Sequence, residues 1–314
     1  MKFLGIDTSC YKTSLAVVDE YGQLLWEKRV ALPVKGGEKG LRQSHALFVH
    51  LVAIPHLLEE GQKELNNTPY TAVGAAVKPR PLPDSYMPVF KVAETVGRSI
   101  AASSGVPFFP FSHQEGHIAA GIWSSAMAKD NFFCLHVSGG TTELLQIKIN
   151  RKRQMEIKLI GGTEDLNAGQ FIDRLGVEMG FPFPAGIHLE KLAKRAKGSV
   201  KLPVAVKETK LSFSGPATRA SHLLKQGCPK EELARGIEIC IAESLSAIVR
   251  AAQREYRLSA LLIVGGVAAN RFIRRYFEQK IDGLSLYFAP PLFSGDNAVG
   301  IAILTFRNFT KKSM

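Results

Sequence analysis

Cysteine is scarce, and none of Cys10, Cys134, Cys228 and Cys240 stands in a Cys-x-x-Cys spacing. That excludes a zinc knuckle or a redox pair and leaves buried free thiols as the reading. No apolar run reaches the roughly 18 residues that a membrane-spanning helix needs. The first residues, Met1-Lys-Phe-Leu-Gly-Ile-Asp, enter a strand pattern at once and leave no room for a signal peptide, so a cytoplasmic location with no membrane partner is expected. The G-x-G-x-x-G fingerprint of dinucleotide folds is missing, and so is the H-E-x-x-H of zinc proteases, since His113-Gln-Glu-Gly-His117 carries its glutamate one position late. Acidic residues are short in number: 28 Asp and Glu face 40 Lys and Arg, and the net charge of +12 favours a polyanionic partner.

What is present describes an α/β chain. With 314 residues, 46% of them hydrophobic and 22% charged, it is long enough for two lobes with cores of their own. Phe132 to Ile149 reads as a buried strand, a Ser138-Gly-Gly-Thr-Thr turn and a second strand. Ser138, Gly139 and Gly140 leave backbone N–H groups uncovered, so a phosphate can approach the turn closely. Phe3 to Val18 repeats the design about 130 residues earlier. Two hairpins of this kind predict two related lobes facing one nucleotide.

Between and beyond them the spacing predicts a strand over 22–30, a basic Gly-rich loop over 33–40, and a helix through His45 and Leu57 that Pro55 kinks or divides. His45, His50 and His56 do not share one face and read as core or rim residues. A strand at 72–77 leads into the proline-rich loop 78–90, which carries Lys78 and Arg80 and reads equally as a rigid connector or a functional loop. A helix over 92–103, a strand over 106–111, a basic hairpin segment over 151–158, and helices over 165–180 and 188–196 follow. Leu211-Ser-Phe-Ser-Gly215 reads as a turn. A long amphipathic helix runs from Glu232, then a strand, the Gly265-Gly266 turn and another helix, a strand over 284–291 and a last helix from Ser294. Ser112 caps a helix that puts His113 and His117 on one face, within reach of one metal ion; paired surface histidines are the alternative. Asp173 lies inside a helix, where it either holds ribose hydroxyls or is simply exposed. Asp296 can cap the last helix.

With the hairpins, the His113/His117 pair, Gly265-Gly-Val-Ala-Ala-Asn270 and Gly295-Asp-Asn-Ala298 in that order, the chain resembles the TsaD tRNA threonylcarbamoyltransferases, formerly called O-sialoglycoprotein endopeptidases, over nearly its whole length. The resemblance implies an actin/Hsp70/sugar-kinase-like (ASKHA) α/β fold of two lobes with the site in the cleft. Residues 1–122 would form the first lobe and 123–314 the second, the last helix packing back on the first. It implies transfer of threonylcarbamoyl from threonylcarbamoyl-AMP to the adenosine beside the tRNA anticodon, alongside other proteins of the threonylcarbamoyl-adenosine pathway. It further implies one divalent metal, iron or zinc, on His113, His117 and Asp296, and an adenine nucleotide on His136, Val137, Ser138, Gly139, Gly140, Asp173, Gly186 and Asn270. Glu190 matches a further contact of the archaeal branch. In that branch a metal-ligating tyrosine precedes Val-Ser-Gly-Gly; here the position is His136, which becomes a fourth ligand or else a core histidine.

Three departures from the family pattern stand out. Tyr11-Lys12 replaces an acidic pair, Lys78-Pro-Arg-Pro81 replaces Gly-Pro-Gly, and Thr141-Thr-Glu143 replaces His-Thr-Gln. Lys12 is the candidate catalytic residue of the first hairpin, expected to contact a nucleotide phosphate or to pair with Glu143. A non-transferring paralogue that binds or hydrolyses ATP and acts through protein partners is the alternative, followed by a small-molecule carbamoyltransferase or kinase.

Overall fold

The computed structural model describes residues 1–9, 11–34, 41–151 and 154–312, without the side chains of 311 and 312. Cys10, most of the loop 33–40 and residues 152–153 of the basic hairpin segment lie outside the described residues. In chain order, β1 (Lys2–Ser9), β2 (Lys12–Asp19) and β3 (Leu24–Ala31) form an antiparallel meander, followed by α1 (Gln43–Glu64), β4 (Ala72–Lys78), α2 (Phe90–Ser104), β5 (Phe108–Ser112) and α3 (His113–Ser124). A second meander, β6 (Asn131–Val137), β7 (Thr142–Ile149) and β8 (Met155–Thr163), precedes α4 (Ala168–Glu178), α5 (Gly186–Ala193), β9 (Ala205–Lys207), β10 (Lys210–Ser212), α6 (Ser214–Lys225) and α7 (Lys230–Glu255). Then come β11 (Ala260–Val264), a 3-10 turn at Gly266–Ala269, α8 (Arg271–Lys280), β12 (Ser285–Phe288), the single turn α9 (Pro291–Ser294) and α10 (Val299–Lys312).

The two sheets share one plan. The first has the order β3-β2-β1-β4-β5; the second runs β8-β7-β6-β11-β12, with β10 and β9 added beyond β8. In each, the two later strands lie parallel to the first strand of the meander. Helices cover both faces, so the central strands are apolar throughout instead of alternating with polar residues. Phe3 turns to Ile301 and Ala302 of α10, while Leu4 and Ile6 turn to Ile54 and Leu57 of α1 and Val92 of α2. Phe132 and Cys134 meet Ile118 and Ile122 of α3, and Phe133 and Leu135 join the larger core around α7.

Helices α3 and α10 join the two sheets, and glycine sets how closely. A Cβ on Gly300 would collide with the carbonyl of Gly116, and one on Gly5 would overlap the backbone of Ala302. This contact brings the start of α10, with Asp296 just ahead of it, against the first turns of α3.

Three expectations change. Helix α1 is not divided at Pro55: it runs as one element from Gln43 to Glu64 with the exposed proline inside it and Ile54 and Leu57 buried on either side. The turn expected at 211–215 opens helix α6 at Ser214, Pro216 sitting in its first turn where a missing N–H costs nothing. Asp296 caps nothing: α10 starts at Val299, whose N–H is taken by Asn297 Oδ1 at 3.0 Å.

Candidate active site

Local grammar builds the histidine pair. Ser112 Oγ accepts from Glu115 N–H at 3.2 Å and Glu115 Oε2 accepts from Ser112 N–H at 2.7 Å, a capping box that starts α3 at His113. One turn later His117 faces the same way, and the two Nε2 atoms stand 3.1 Å apart. Asp296 Oδ1 lies 3.2 Å from His117 Nε2 and 3.6 Å from His113 Nε2, so three donor atoms converge within 4.8 Å of one another. Two of the three are steadied from behind. Asp7 Oδ2, at the cleft end of β1, sits 2.6 Å from His113 Nδ1, and Ser9 Oγ donates to Asp296 Oδ2 at 2.9 Å.

These residues suit a divalent cation. A carboxylate behind an imidazole fixes the ring and turns the lone pair of its other nitrogen outward. Burial works against charge on His113, yet Asp7 and Asp296 outweigh it and hold the imidazole well above the ordinary histidine value. Burial also opposes charge on Asp296, but His113 and His117 beside it hold the carboxyl well below the usual range. Burial and the neighbouring His113 charge lower His117. His136 stands next to the group without entering it. Its ring centroid is 4.7 Å from that of His117, burial and the two neighbouring histidines push it well below the ordinary value, and among the described residues neither of its nitrogens has a hydrogen-bond partner. His117 Nδ1 is likewise buried and unpaired. Buried polar atoms without partners are costly unless a ligand or ordered water meets them.

Asp296 also lines a cavity of about 310 Å³ between the two sheets. Of the residues expected to hold a nucleotide, Ser138, Gly139, Asp173, Gly186, Glu190 and Asn270 surround it, together with Lys12. His136 and Val137 lie on β6 behind the turn, with the Val137 side chain in the core, and neither they nor Gly140 line the cavity. Burial pushes Asp173 up to about 6, although Ala185 N–H donates to it at 2.8 Å. Asn270 is held from both ends: its Oδ1 caps α8 through Ile273 N–H at 3.0 Å, and its Nδ2 donates to Glu238 at 2.7 Å. Burial raises Glu238 to about 7, with Asn270 and Arg235 pulling the other way.

Lys12 does not pair with Glu143. That carboxylate is already committed, one oxygen to Arg80 at 2.5 Å and the other to Gln114 Nε2 at 2.6 Å, and Gln114 N–H binds the carbonyl of Pro79 at 3.0 Å. Two of the departures from the family pattern therefore meet each other. Sequence reasoning missed Asp7, Ser9, Gln114 and Glu238. The only local hint for Asp7 and Ser9 was a carboxylate and a hydroxyl at the end of an otherwise apolar strand.

The family described as TsaD, tRNA N6-adenosine threonylcarbamoyltransferase, matches residues 50–303. The tRNA N6-adenosine threonylcarbamoyltransferase of a Thermus thermophilus strain is 33% identical over 98% of this chain and 93% of its own length. Among solved structures, component A of the (R)-2-hydroxyglutaryl-CoA dehydratase of Acidaminococcus fermentans superposes with a TM-score of 0.62 over 99% of both chains at 13% identity. A glucokinase of the ROK family from Streptomyces griseus gives 0.53 over 97% of this chain and 99% of its own, at 16% identity. The fold is of the actin/Hsp70/sugar-kinase type, and with one third of its residues shared along nearly the full length of a named transferase, the chain belongs to the TsaD family of tRNA N6-adenosine threonylcarbamoyltransferases.

Proposed function

We propose that this chain transfers a threonylcarbamoyl group from threonylcarbamoyl-AMP to N6 of the adenosine beside the tRNA anticodon, in the cytoplasm and together with other proteins of that pathway. The observation that carries the reading is the junction of the His113, His117, Asp296 group with the nucleotide-sized cavity, Asp296 belonging to both. The N6 amino group attacks the carbamoyl carbon, the bond from that carbon to the phosphate oxygen breaks, AMP leaves with the electron pair, and the amino proton is released to water. A divalent metal, iron or zinc by the nitrogen-rich donor set, supplies Lewis acidity when bound. Asp7 and Ser9 orient its ligands, with His136 packed against His117 outside the group of three.

The turn of Ser138, Gly139 and Gly140 faces the phosphate: Ser138 N–H closes the turn on the Thr141 carbonyl at 2.8 Å, which leaves the glycine N–H groups for the anion, with His136 and Val137 as the strand beneath. Asp173, Gly186, Glu190 and Asn270 surround the nucleoside. The first lobe then comprises residues 1–122 and the second 123–314, with α10 returning to the first sheet. The net charge of +12 supplies tRNA affinity that falls steeply with salt. Incubation with threonylcarbamoyl-AMP, unmodified tRNA and the other pathway proteins, followed by nucleoside analysis, tests the reading. N6-threonylcarbamoyladenosine is expected; its absence while both substrates bind would overturn it.

A further inference from the structure

Charge is distributed unevenly around the cleft cavity. Its acidic side chains are Asp173, Glu190 and Asp296, and its one cation among the described lining residues is Lys12. The acids have partners: Asp173 accepts from Ala185 N–H, Glu190 faces Lys194 at 3.4 Å, and Asp296 is held by Ser9 and His117. Among the described residues the Lys12 ammonium has neither a hydrogen-bond nor an ion-pair partner. It reaches toward Gly295, where an added Cβ would stand 3.5 Å from Nζ, so the glycine keeps the approach open. Tyr11 beside it packs on Phe183 with ring centroids 5.2 Å apart and lies 4.0 Å from where a Gly139 Cβ would be, which holds the first hairpin over the Ser138–Gly139 turn.

A cavity with carboxylates at Asp173 and Glu190 and a free ammonium at Lys12 matches a molecule with hydroxyls on one part and an oxyanion on another. We infer that Lys12 is the oxyanion site of the cleft and takes the phosphate of the bound adenylate. The nucleotide then lies in one orientation, its sugar toward Asp173 and Glu190 and its phosphate between Lys12 and the Ser138–Gly139 turn, beside the His113, His117, Asp296 group. Two anchors hold that phosphate: backbone N–H groups from the second hairpin and an ammonium from the first. This rests on the nucleotide reading of the cavity given above.

Calorimetry with adenosine, AMP and ATP on the full chain, on Lys12→Met and on Lys12→Arg tests it, thermal melting serving as a control for folding. The unaltered protein should bind AMP at least about tenfold more tightly than adenosine, a preference that shrinks as salt rises. Lys12→Met should remove most of the preference for AMP, the remainder being what the backbone turn holds, and leave adenosine unchanged, and Lys12→Arg should restore most of the difference. If Lys12→Met keeps the preference for AMP, the backbone turn alone holds the phosphate and the inference is wrong. An equal loss for adenosine and AMP also overturns it, since Lys12 would then act on the fold. Failure of the unaltered protein to bind either ligand sinks the nucleotide reading itself, a result the other outcomes cannot mimic.

Discussion

The two hairpins β1–β2 and β6–β7 occupy the same place in two sheets of the same strand order, yet they contribute different chemistry. The second ends in Ser138-Gly139-Gly140 and offers backbone. The first is lined by buried polar side chains, each turned to a different neighbour: Thr8 to the carbonyl of Val89, Ser9 to Asp296, and Thr13 to His50. Near its cleft end each hairpin still sends one buried side chain toward the histidines of α3, Asp7 to His113 and His136 to His117. A repeated scaffold thus divides its labour. One copy keeps its turn bare, and the other spends its polar side chains on holding neighbouring elements in place.

The comparison breaks most completely if the two copies are moved apart. Gly300→Ala puts a methyl group into the carbonyl of Gly116 at the seam of α3 and α10, and since the obstacle is backbone the helices must shift. Destabilisation of about 3 kcal/mol or more is expected by denaturant unfolding. Gly140→Ala, on the bare turn with nothing within 4 Å of its added Cβ, should leave stability nearly unchanged. Similar losses at both positions would mean that the seam is looser than its geometry indicates.

Acidity should separate the copies next. His50, bonded to Thr13 in the first, is pushed down to about 4 by burial, from an ordinary 6.5. The unfolded chain therefore takes up that proton first, and stability falls as pH drops from about 6.5 to about 4. Asp173 in the second is raised by burial from 3.8 to about 6, so there the folded state takes up the proton first and stability falls as pH rises through the overlapping window. Each contributes up to about 3 kcal/mol, with opposite sign. Unfolding curves collected between pH 4 and 6.5 should tilt one way for His50→Gln and the other way for Asp173→Asn. Parallel slopes in the two variants would refute the assignment.

Those contrasts bear on what could be read from the chain alone. The hairpins, α7 and the start of α3 were legible because their signals are local: apolar runs closed by small residues, a stripe at helical spacing, and a serine three residues before a glutamate. Helix α6 was hidden because Ser214-Gly-Pro216 looks like a turn and only packing of Ala217 and Ala220 against the second core decides otherwise. Asp7 and Glu143 could not be placed, since their partners His113, Arg80 and Gln114 lie far away in sequence and charge pairing over such distances leaves no period to detect.

Asp7 gives the third contrast, a smaller one. Asp7→Asn keeps the shape behind His113 but removes the charge that favours a proton on Nδ1 and a lone pair on Nε2. Metal affinity should fall about 10- to 100-fold, the usual cost of losing a carboxylate behind a ligating histidine. His136→Phe, in the matching place of the second hairpin, tests whether that side supports the metal as well. Titration with zinc or cobalt, read calorimetrically, measures both, and unchanged affinity in Asp7→Asn would leave the carboxylate without a role in binding.

The smallest expected effect concerns the strap between the copies. Arg80, on the loop after β4, reaches Glu143 on β7 of the other sheet, and Gln114 beside His113 holds the second oxygen of the same carboxylate. The arginine side chain is 45% exposed while that of glutamate is 10% exposed, so water screens the pair from one side only. Surface pairs contribute roughly 0 to 1 kcal/mol, and breaking fully buried ones costs more; this geometry falls at the lower end because Gln114 still satisfies the carboxylate when Arg80 is removed. A double-mutant cycle over Arg80→Met and Glu143→Gln should give a coupling of about 1 kcal/mol that weakens with added salt. Because Glu143 also fixes the residue next to His113, Glu143→Gln should disturb metal binding less than Asp7→Asn does, the amide oxygen it introduces still being able to accept from Gln114. A coupling near zero at low salt would show that the Arg80–Glu143 pair adds nothing to the hold of α3 and α10 on the two sheets.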